Sequence, residues 1–148
     1  MLQLCQVTSA LFISNARSAC SAELIRQKAV TLCINVTRQQ PFPNCSVAIM
    51  RIPVLDEPSE NLYVHFDACA DAIQKEAQRG GCSVVYCKNG RSRSAAVCIA
   101  YLMKHRRAAL TDALQEVKAA RHVIEPNLGF LAQLQRYEEE LRRRRESK

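Results

Sequence analysis

A cysteine, a glycine and two arginines lie close together in residues 87–94, which run Cys-Lys-Asn-Gly-Arg-Ser-Arg-Ser. A glycine permits close approach of the backbone, so the N–H groups of such a loop can surround an oxyanion such as phosphate. Arg93 can add a bidentate, charge-assisted contact to the same group. The positive potential that holds the anion also favours the thiolate of Cys87, which is the nucleophilic form. This stretch therefore predicts a nucleophilic Cys87 beside a bound oxyanion.

The spacing between the cysteine and the arginine does not identify the site by itself. The same spacing occurs at Cys20/Arg26 and at Cys45/Arg51. Neither of those pairs encloses a glycine, neither follows an apolar strand into a long helix, and neither arginine is followed by serine. The prediction therefore depends on the context of the motif and not on the two residues alone.

The residues on either side of this loop predict the elements that hold it. Residues 84–86, Val-Val-Tyr, are β-formers without alternation, as in a strand covered on both faces. Residues 95–103 are good helix formers over more than two turns. The loop is therefore predicted at the C-terminal edge of a strand and at the N-terminus of a helix, where an anion is favoured.

Residues 87–94 resemble the phosphate-binding loop of the cysteine-dependent protein phosphatases. Three further stretches, residues 30–36, 100–103 and 125–130, resemble the dual-specificity branch of that superfamily. The resemblance covers roughly nine-tenths of the chain, so it extends over a whole domain. It implies an atypical dual-specificity phosphatase, which acts on phosphotyrosine and on phosphoserine or phosphothreonine through a phosphocysteine intermediate, without a metal or other cofactor.

The resemblance and the chemistry together indicate the candidate site residues. Cys87 is the predicted nucleophile, and Arg93 is expected to hold the phosphate oxygens where charge sits in the transition state. Asp56 lies in a loop flanked by prolines, about thirty residues before the cysteine, where the resemblance places the general acid, with Glu57 as the alternative. For Ser94, a hydroxyl that hydrogen-bonds the cysteine sulfur competes with a helix cap. The predicted phosphate-binding residues are Lys88, Asn89, Gly90, Arg91, Ser92 and Arg93.

Two positions depart from the usual pattern of the family. Tyr86 stands directly before the nucleophile, where the family usually has histidine, and a phenol cannot supply the hydrogen-bond network or the potential charge of an imidazole. We therefore expect a less stabilised thiolate and weaker catalysis than in typical relatives. Arg91 adds bulk and charge where relatives often carry an apolar residue, and we expect it to narrow the range of substrates.

The N-terminal half of the chain predicts strands that alternate with helices. An edge hairpin over residues 3–14 is followed by a turn over residues 16–21 and a helix over residues 22–28. A core strand is predicted over residues 30–36 and another strand over residues 47–52.

Three further helices follow from apolar residues at helical spacing. The first ends at a Gly-Gly pair before the strand that leads to Cys87. The second has Thr111 as its predicted N-cap. The last carries an apolar stripe from Phe130 to Leu141, with Asn127 as an expected cap. This order predicts an α/β fold with a mainly parallel central sheet and helices on both faces. The resemblance implies the same fold.

Length, charge and cysteine content limit the remaining possibilities. One domain is expected over the 148 residues, since this length can bury a core of its own. The net charge is +7, and the basic C-terminal end, residues 142–148, favours a solvated helix end over a nucleic-acid patch. Eight cysteines without a Cys-x-x-Cys pair, and only three histidines, predict mostly buried free thiols and no metal site.

The expected partner is a phosphorylated protein, and neither nucleic acid nor a membrane is expected. No stretch reaches the ~18 uncharged apolar residues of a membrane span, and the N-terminus lacks a signal-peptide pattern. We expect a cytoplasmic location, and a nuclear location is the alternative.

Three functions are compatible with these residues. Cys87, Arg93 and Asp56 together favour a dual-specificity protein phosphatase, whereas Tyr86 favours the alternative, a phosphate-binding module with little turnover. An RNA or lipid phosphatase is supported only by the basic C-terminal end. The oligomeric state does not follow from the sequence.

Overall fold

The computed structural model describes residues 1–148 and contains five strands and six helices. The strands are β1 (Cys5–Thr8), β2 (Leu11–Asn15), β3 (Leu32–Asn35), β4 (Ala48–Arg51) and β5 (Ser83–Cys87). The helices are α1 (Ala16–Ala19), α2 (Ala22–Gln27), α3 (Tyr63–Gln78), α4 (Arg93–His105), α5 (Leu110–Ala120) and α6 (Leu128–Glu146). None of these helices is long and apolar enough to span a membrane.

The five strands form one sheet in the order β1-β2-β5-β3-β4. β5 pairs in parallel with β2 and β3, and β4 pairs in parallel with β3. Only β1 is antiparallel, and it forms the predicted edge hairpin with β2. All five residues of β5 are buried, as the unbroken apolar pattern predicts for a central strand. The predicted α/β fold with a mainly parallel sheet is confirmed.

Helices cover both faces of the sheet. Helices α3 to α6 pack over a core of 30 buried residues on one face, and α1 and α2 pack over a smaller cluster of ten on the other. Helix α4 lies at the centre of the larger layer, where every residue from Ser94 to Met103 is buried. A helix that is apolar on all sides has to lie inside a domain, and this position fixes α4 firmly behind the loop that precedes it.

The parallel register brings several strand ends to one edge of the sheet. Asn15 at the end of β2 lies opposite Cys87, and Asn35 at the end of β3 lies opposite Tyr86. Open α/β sheets bind ligands outside the carboxyl ends of their strands. Cys87 ends the central strand at this edge, so the loop that follows it lies where a ligand is expected.

Two helix starts differ from the sequence prediction. Helix α5 begins at Leu110 with Ala109 as its N-cap, so Thr111 is not the cap. The backbone N–H of Leu110 donates instead to the Glu138 carboxylate of α6, at 2.7 Å. A tertiary partner therefore replaces the local cap. Residues 16–19, predicted as a turn, form the short helix α1, whose N-cap Asn15 accepts from the Ser18 N–H.

The basic C-terminal end is less solvated than predicted. The Arg144 guanidinium lies 2.9 Å from the Asp67 carboxylate of α3. Arg145 donates to the carbonyls of Met103 and Lys104 at the end of α4. These contacts attach the last turns of α6 to α3 and α4, because long arginine side chains can reach carbonyls that a helix end leaves without partners.

Candidate active site

Cys87 lies at the end of β5 with only 2% of its surface exposed. Its Sγ is 3.1 Å from the Oγ of Ser94, in the first turn of α4. The chain between the two residues therefore closes into a tight loop. Ser94 makes no capping hydrogen bond, since the N-cap of α4 is Ser92, so the contact with sulfur is its observed role.

The carbonyl groups of this loop are all hydrogen-bonded to groups outside it. The Lys88 carbonyl accepts from the backbone N–H of Ala16, and that of Arg91 accepts from the N–H of Glu125. The Arg121 guanidinium donates to the carbonyls of Asn89, at 3.0 Å, and Gly90, at 2.8 Å.

The N–H groups of the same loop are free. None of the backbone N–H groups of residues 88–93 donates a hydrogen bond within the protein. Gly90 and Ser92 are buried and Arg93 is half-buried, and buried backbone donors normally have partners, so this run of free donors beside a buried thiol is unusual. With the carbonyls held on the outside, this backbone can offer its donors to one anion, as in the nests that bind phosphate.

Gly90 is required for the close packing of this loop. Its φ is +64°, a conformation that side chains rarely adopt, and a Cβ at this position would lie 2.7 Å from the carbonyl of Ser14. The loop therefore rests directly on the end of β2, so Gly90 allows close packing against the sheet as well as the predicted approach of the backbone to an anion.

Arg93 is held at one end and free at the other. Its Nη1 donates to the carbonyl of Val54 at 3.0 Å, while its Nε is buried without any hydrogen-bond partner. A buried guanidinium N–H without an acceptor is costly unless a ligand supplies one. Its position at the start of α4 adds positive charge to the positive end of the helix dipole, which favours an anion there.

Asp56 is held at the entrance of the site by the start of α6. Its Oδ1 accepts from the Asn127 side-chain amide at 2.9 Å. Asn127 also caps α6, as predicted, and its backbone N–H donates to the Ser92 hydroxyl. The same helix start packs against Pro58 through Gly129, where a Cβ would overlap the proline backbone. The acid loop and the phosphate-binding loop therefore share one support.

These groups surround a pocket of about 190 Å³. Its lining residues are Asp56, Cys87, Asn89, Arg91, Ser92, Arg93 and Glu125. Lys88 lies outside it and lines a neighbouring pocket, and Glu57, the alternative acid, lines neither of the two. The structure thus brings Cys87, Arg93 and Asp56 to one cavity, with Ser94 in contact with the sulfur.

Tyr86 points away from this pocket. It belongs to the smaller cluster under α1 and α2, is fully buried, and donates its hydroxyl to the carbonyl of Pro41 at 2.8 Å. Burial raises the pKa of this phenol well above its ordinary value, so Tyr86 is neutral. It therefore supplies no positive charge behind the nucleophile.

Sequence reasoning missed Arg121 and Glu125 and gave Asn127 only a capping role. Glu125 lies at the rim of the pocket, where its carboxylate pairs with the Arg91 guanidinium at 3.4 Å. Each of these residues is more than 30 positions from its partner in the loop, and no local pattern indicates such a contact. The resemblance of residues 125–130 to the family was the only available signal for the last segment.

Comparison with known proteins shows which family this chain resembles over most of its length. Residues 11–140 match the family described as dual specificity phosphatase, catalytic domain. Dual specificity phosphatase 28 of Mus musculus is 55% identical over 137 residues, which cover 92% of this chain and 84% of that protein.

Two crystal structures have closely similar folds. Human dual specificity phosphatase 28 is 51% identical, with a TM-score of 0.91 and coverage of 94% of this chain and 95% of that one. A mouse putative dual specificity phosphatase complexed with zinc tungstate is 53% identical, with a TM-score of 0.93 and coverage of 95% and 89%.

Proposed function

The chain belongs to the dual specificity phosphatase family and is a protein phosphatase, and we propose that it removes phosphate from phosphotyrosine and from phosphoserine or phosphothreonine through a phosphocysteine intermediate on Cys87. One observation carries the mechanism: six free N–H groups and an unpartnered arginine nitrogen surround a buried cysteine. This arrangement suits a phosphate, whose three non-bridging oxygens need several donors. We further propose that residues 1–148 form one catalytic domain.

In the first step the Cys87 thiolate attacks phosphorus and displaces the ester oxygen of the substrate. The sulfur–phosphorus bond forms as the phosphorus–oxygen bond breaks, and Asp56 donates its proton to the departing oxygen. The loop N–H groups and Arg93 hold the other three oxygens as negative charge moves onto them. The hydrogen bond from Asn127 orients the Asp56 carboxyl at the rim.

In the second step water attacks the phosphocysteine. Asp56, now a carboxylate, accepts a proton from that water as the new oxygen–phosphorus bond forms. The sulfur–phosphorus bond breaks, and the Ser94 hydroxyl, 3.1 Å from Sγ, donates a hydrogen bond to the departing thiolate. Phosphate leaves, and the enzyme returns to its starting state.

We propose that turnover is slow because of Tyr86. A neutral phenol that donates away from the nucleophile gives the thiolate no charge and no hydrogen-bond network. Replacing it by histidine, Tyr86→His, is expected to raise turnover and to shift alkylation of Cys87 by iodoacetamide to lower pH. If the native protein is alkylated at the same low pH as fully active relatives, this explanation is wrong.

The proposed partners are phosphorylated proteins. The proposed location is the cytoplasm, with the nucleus as an alternative location. All eight cysteines are free, which fits a reducing compartment. Fractionation of cells that express the chain would test the location.

The mechanism is tested by hydrolysis of a small aryl phosphate between about pH 5 and 8, with a metal chelator present. We expect turnover to survive the chelator, to vanish in Cys87→Ser and to fall in Asp56→Asn. Glu57→Gln is the matched control and should keep native activity. Phosphotyrosine and phosphothreonine peptides then test both specificities.

If the native chain is as slow as Cys87→Ser and still binds phosphopeptides, turnover through Cys87 is refuted. The chain would then act as the phosphate-binding module that the sequence left open.

A further inference from the structure

The two edge strands of the sheet, β1 and β4, differ in how they are protected. The register of β1 is irregular between Gln6 and Thr8, and α5 packs against this strand, with the Arg121 guanidinium 3.6 Å from the Cys5 sulfur. Three of the four residues of β4 are exposed, and its only neighbour in the sheet is β3. Proteins usually protect an edge strand with a bulge, a charge or a covering element, because an open edge can pair with another chain. β4 is therefore the open edge of this sheet.

Alternate backbone groups of β4 face away from the sheet. Ala48 and Ile52 donate their N–H groups to carbonyls on the β3 side. Because the direction alternates from one residue to the next, the N–H and carbonyl groups of Ile49 and Arg51 face outward, where no strand lies. The Arg51 guanidinium, the only charged group of the strand, donates to carbonyls of the loop after β3. The outer edge of β4 thus offers backbone partners and no charge that would repel a strand.

An apolar cavity of about 510 Å³ opens at the start of β4. Its lining includes the buried side chains of Ile25 and Val30 and the half-buried Val47. Ile49 lies on the same face of the sheet, since it is opposite Cys33, a member of the cluster against which Val47 packs, and it is 59% exposed. A strand paired with β4 would place alternate side chains on this face, one in the cavity and the next over Ile49.

The exposed charged side chains around this cavity are cations. Arg26 lines it, Lys28 follows at the end of α2, and Arg79 lines an adjoining cavity of about 280 Å³. Arg26 and Lys28 are exposed and make no ion pair. The only carboxylate that lines either cavity, Glu76, is buried and accepts from Thr31 and Arg79. An occupant with carboxylates beside its apolar side chains would therefore be complementary in charge.

We propose that β4 and this apolar cavity bind an extended, acidic segment of a partner protein, which adds a strand to the sheet. Backbone hydrogen bonds to Ile49 and Arg51 would hold the segment, an apolar side chain would fill the cavity, and carboxylates would face Arg26 and Lys28. A second copy of this chain fits less well, because it would bring the same cations and a net charge of +7 to the interface. The inference does not depend on turnover at Cys87.

Selection from a library of short, random displayed peptides tests the proposal without a known partner. A first pass over Ile49→Asp, whose carboxylate repels an acidic strand, removes peptides that bind elsewhere, and the native chain then selects from the remainder. We expect the enriched peptides to carry two apolar residues separated by one position and flanked by Asp or Glu. No enrichment, or enriched peptides that lack either feature, would overturn the proposal.

N-methylation of an enriched peptide tests whether it binds as a strand. Only every second amide of a paired strand faces its neighbour. Methylating that set of amides should weaken binding about ten-fold or more in fluorescence anisotropy, whereas methylating the other set should have little effect. Equal losses from the two sets would contradict strand pairing.

Paired charge variants separate this surface from general attraction to a basic protein. Arg26→Gln together with Lys28→Gln should weaken binding of the enriched peptide about ten-fold, and less at high salt. Arg106→Gln together with Arg107→Gln removes two exposed cations after α4, on the other face of the sheet, and should change nothing. Equal losses in the two double variants would refute the assigned surface.

Sedimentation of the native chain tests the other occupant of the edge. We expect a monomer, which leaves β4 open for a partner. A dimer that dissociates in Ile49→Asp would show that a second copy covers this edge, and the proposal would then be wrong.

Discussion

The two ends of helix α4 hold charge in opposite ways. At the N-terminal end the loop N–H groups and the Nε of Arg93 have no partners in the protein. At the C-terminal end Lys104 lies 3.1 Å from Asp67 and 2.8 Å from Asp71. The last carbonyls of the helix also have a partner there, the guanidinium of Arg145.

The difference separates a binding site from a structural contact. The C-terminal end uses its charges within the fold, so a change there should cost stability. The N-terminal end leaves the loop donors and the buried Nε of Arg93 free beside a buried thiol, and these free donors do not stabilise the fold until an anion binds. A change there should therefore cost activity and little stability.

The largest expected effect is that of Arg93→Lys. Lysine keeps the charge but cannot present a planar pair of donors to phosphate. We expect kcat/KM for an aryl phosphate to fall about a thousand-fold, which corresponds to about 4 kcal/mol of transition-state stabilisation. The midpoint of thermal unfolding should stay within a few degrees of the native value.

The matched control for this variant is Arg106→Gln at the other end of the same helix, which should leave kcat/KM unchanged. A large loss of thermal stability in Arg93→Lys would contradict the division, because it would show that Arg93 supports the fold.

The contrast also explains what the sequence could and could not predict. Cys87, Arg93 and Ser94 lie within eight consecutive residues, so a local pattern sufficed to place them around one anion. The outer supports of the loop come from other elements, as Arg121 does from the end of α5. Which distant residue donates to a given carbonyl depends on how the helices pack. A short segment of sequence contains no information about that packing.

The cap of α5 was missed for the same reason. Thr111 has the residue type of a local cap, but Glu138 of α6 reaches the first N–H of the helix. The β-α order and the buried strand β5 were predictable because apolar periodicity reports burial directly.

The second prediction concerns Asp67 of α3, which pairs with Lys104 at the C-terminal end of α4. Its carboxylate accepts from Arg144, Lys104 and the Tyr137 hydroxyl and is 44% exposed. Asp67→Asn should lower the free energy of unfolding by about 2 kcal/mol, less than for a fully buried pair because water screens the charges. Urea unfolding measures this loss, and kcat/KM should not change.

The pH dependence of this loss follows from the direction of the shift. The Arg144 hydrogen bond holds the pKa of the Asp67 carboxyl well below its usual range. A carboxyl with a lowered pKa in the folded state stabilises the protein above its unfolded pKa, and this contribution disappears as the pH falls through the folded value. The difference between native and Asp67→Asn should therefore be constant near neutral pH and shrink below about pH 4.

Glu116→Gln, which removes an exposed carboxylate without an ion pair, is the control for Asp67→Asn and should leave stability nearly unchanged. A stability difference that grows as the pH falls would refute the role assigned to Asp67.

The third prediction tests the support of the loop by Arg121. This residue touches two loop carbonyls and does not line the catalytic pocket, so it positions donors and meets no substrate. Arg121→Gln should lower kcat about ten-fold, because misaligned N–H groups stabilise the transition state less well. Arg121→Lys should restore part of the loss, since an ammonium can reach one of the carbonyls.

A purely structural role for Arg121 would give a different result. It would lower the midpoint of unfolding without changing kcat of the fraction that remains folded.

The smallest effect is expected for an exposed ion pair on α6. Arg142 lies 2.9 Å from Glu139, one turn earlier, and both side chains are more than half exposed. Arg142→Gln should change the free energy of unfolding by less than about 0.5 kcal/mol, because solvent screens such pairs and ordering two long side chains is unfavourable. Arg144→Gln removes the same charge two residues later and also breaks the contact with Asp67, so its urea midpoint should fall clearly further. Equal losses of unfolding free energy in the two variants would mean that α6 stabilises the domain through its apolar stripe alone. The charges at the C-terminal end of α4 would then contribute no more to stability than an exposed ion pair does.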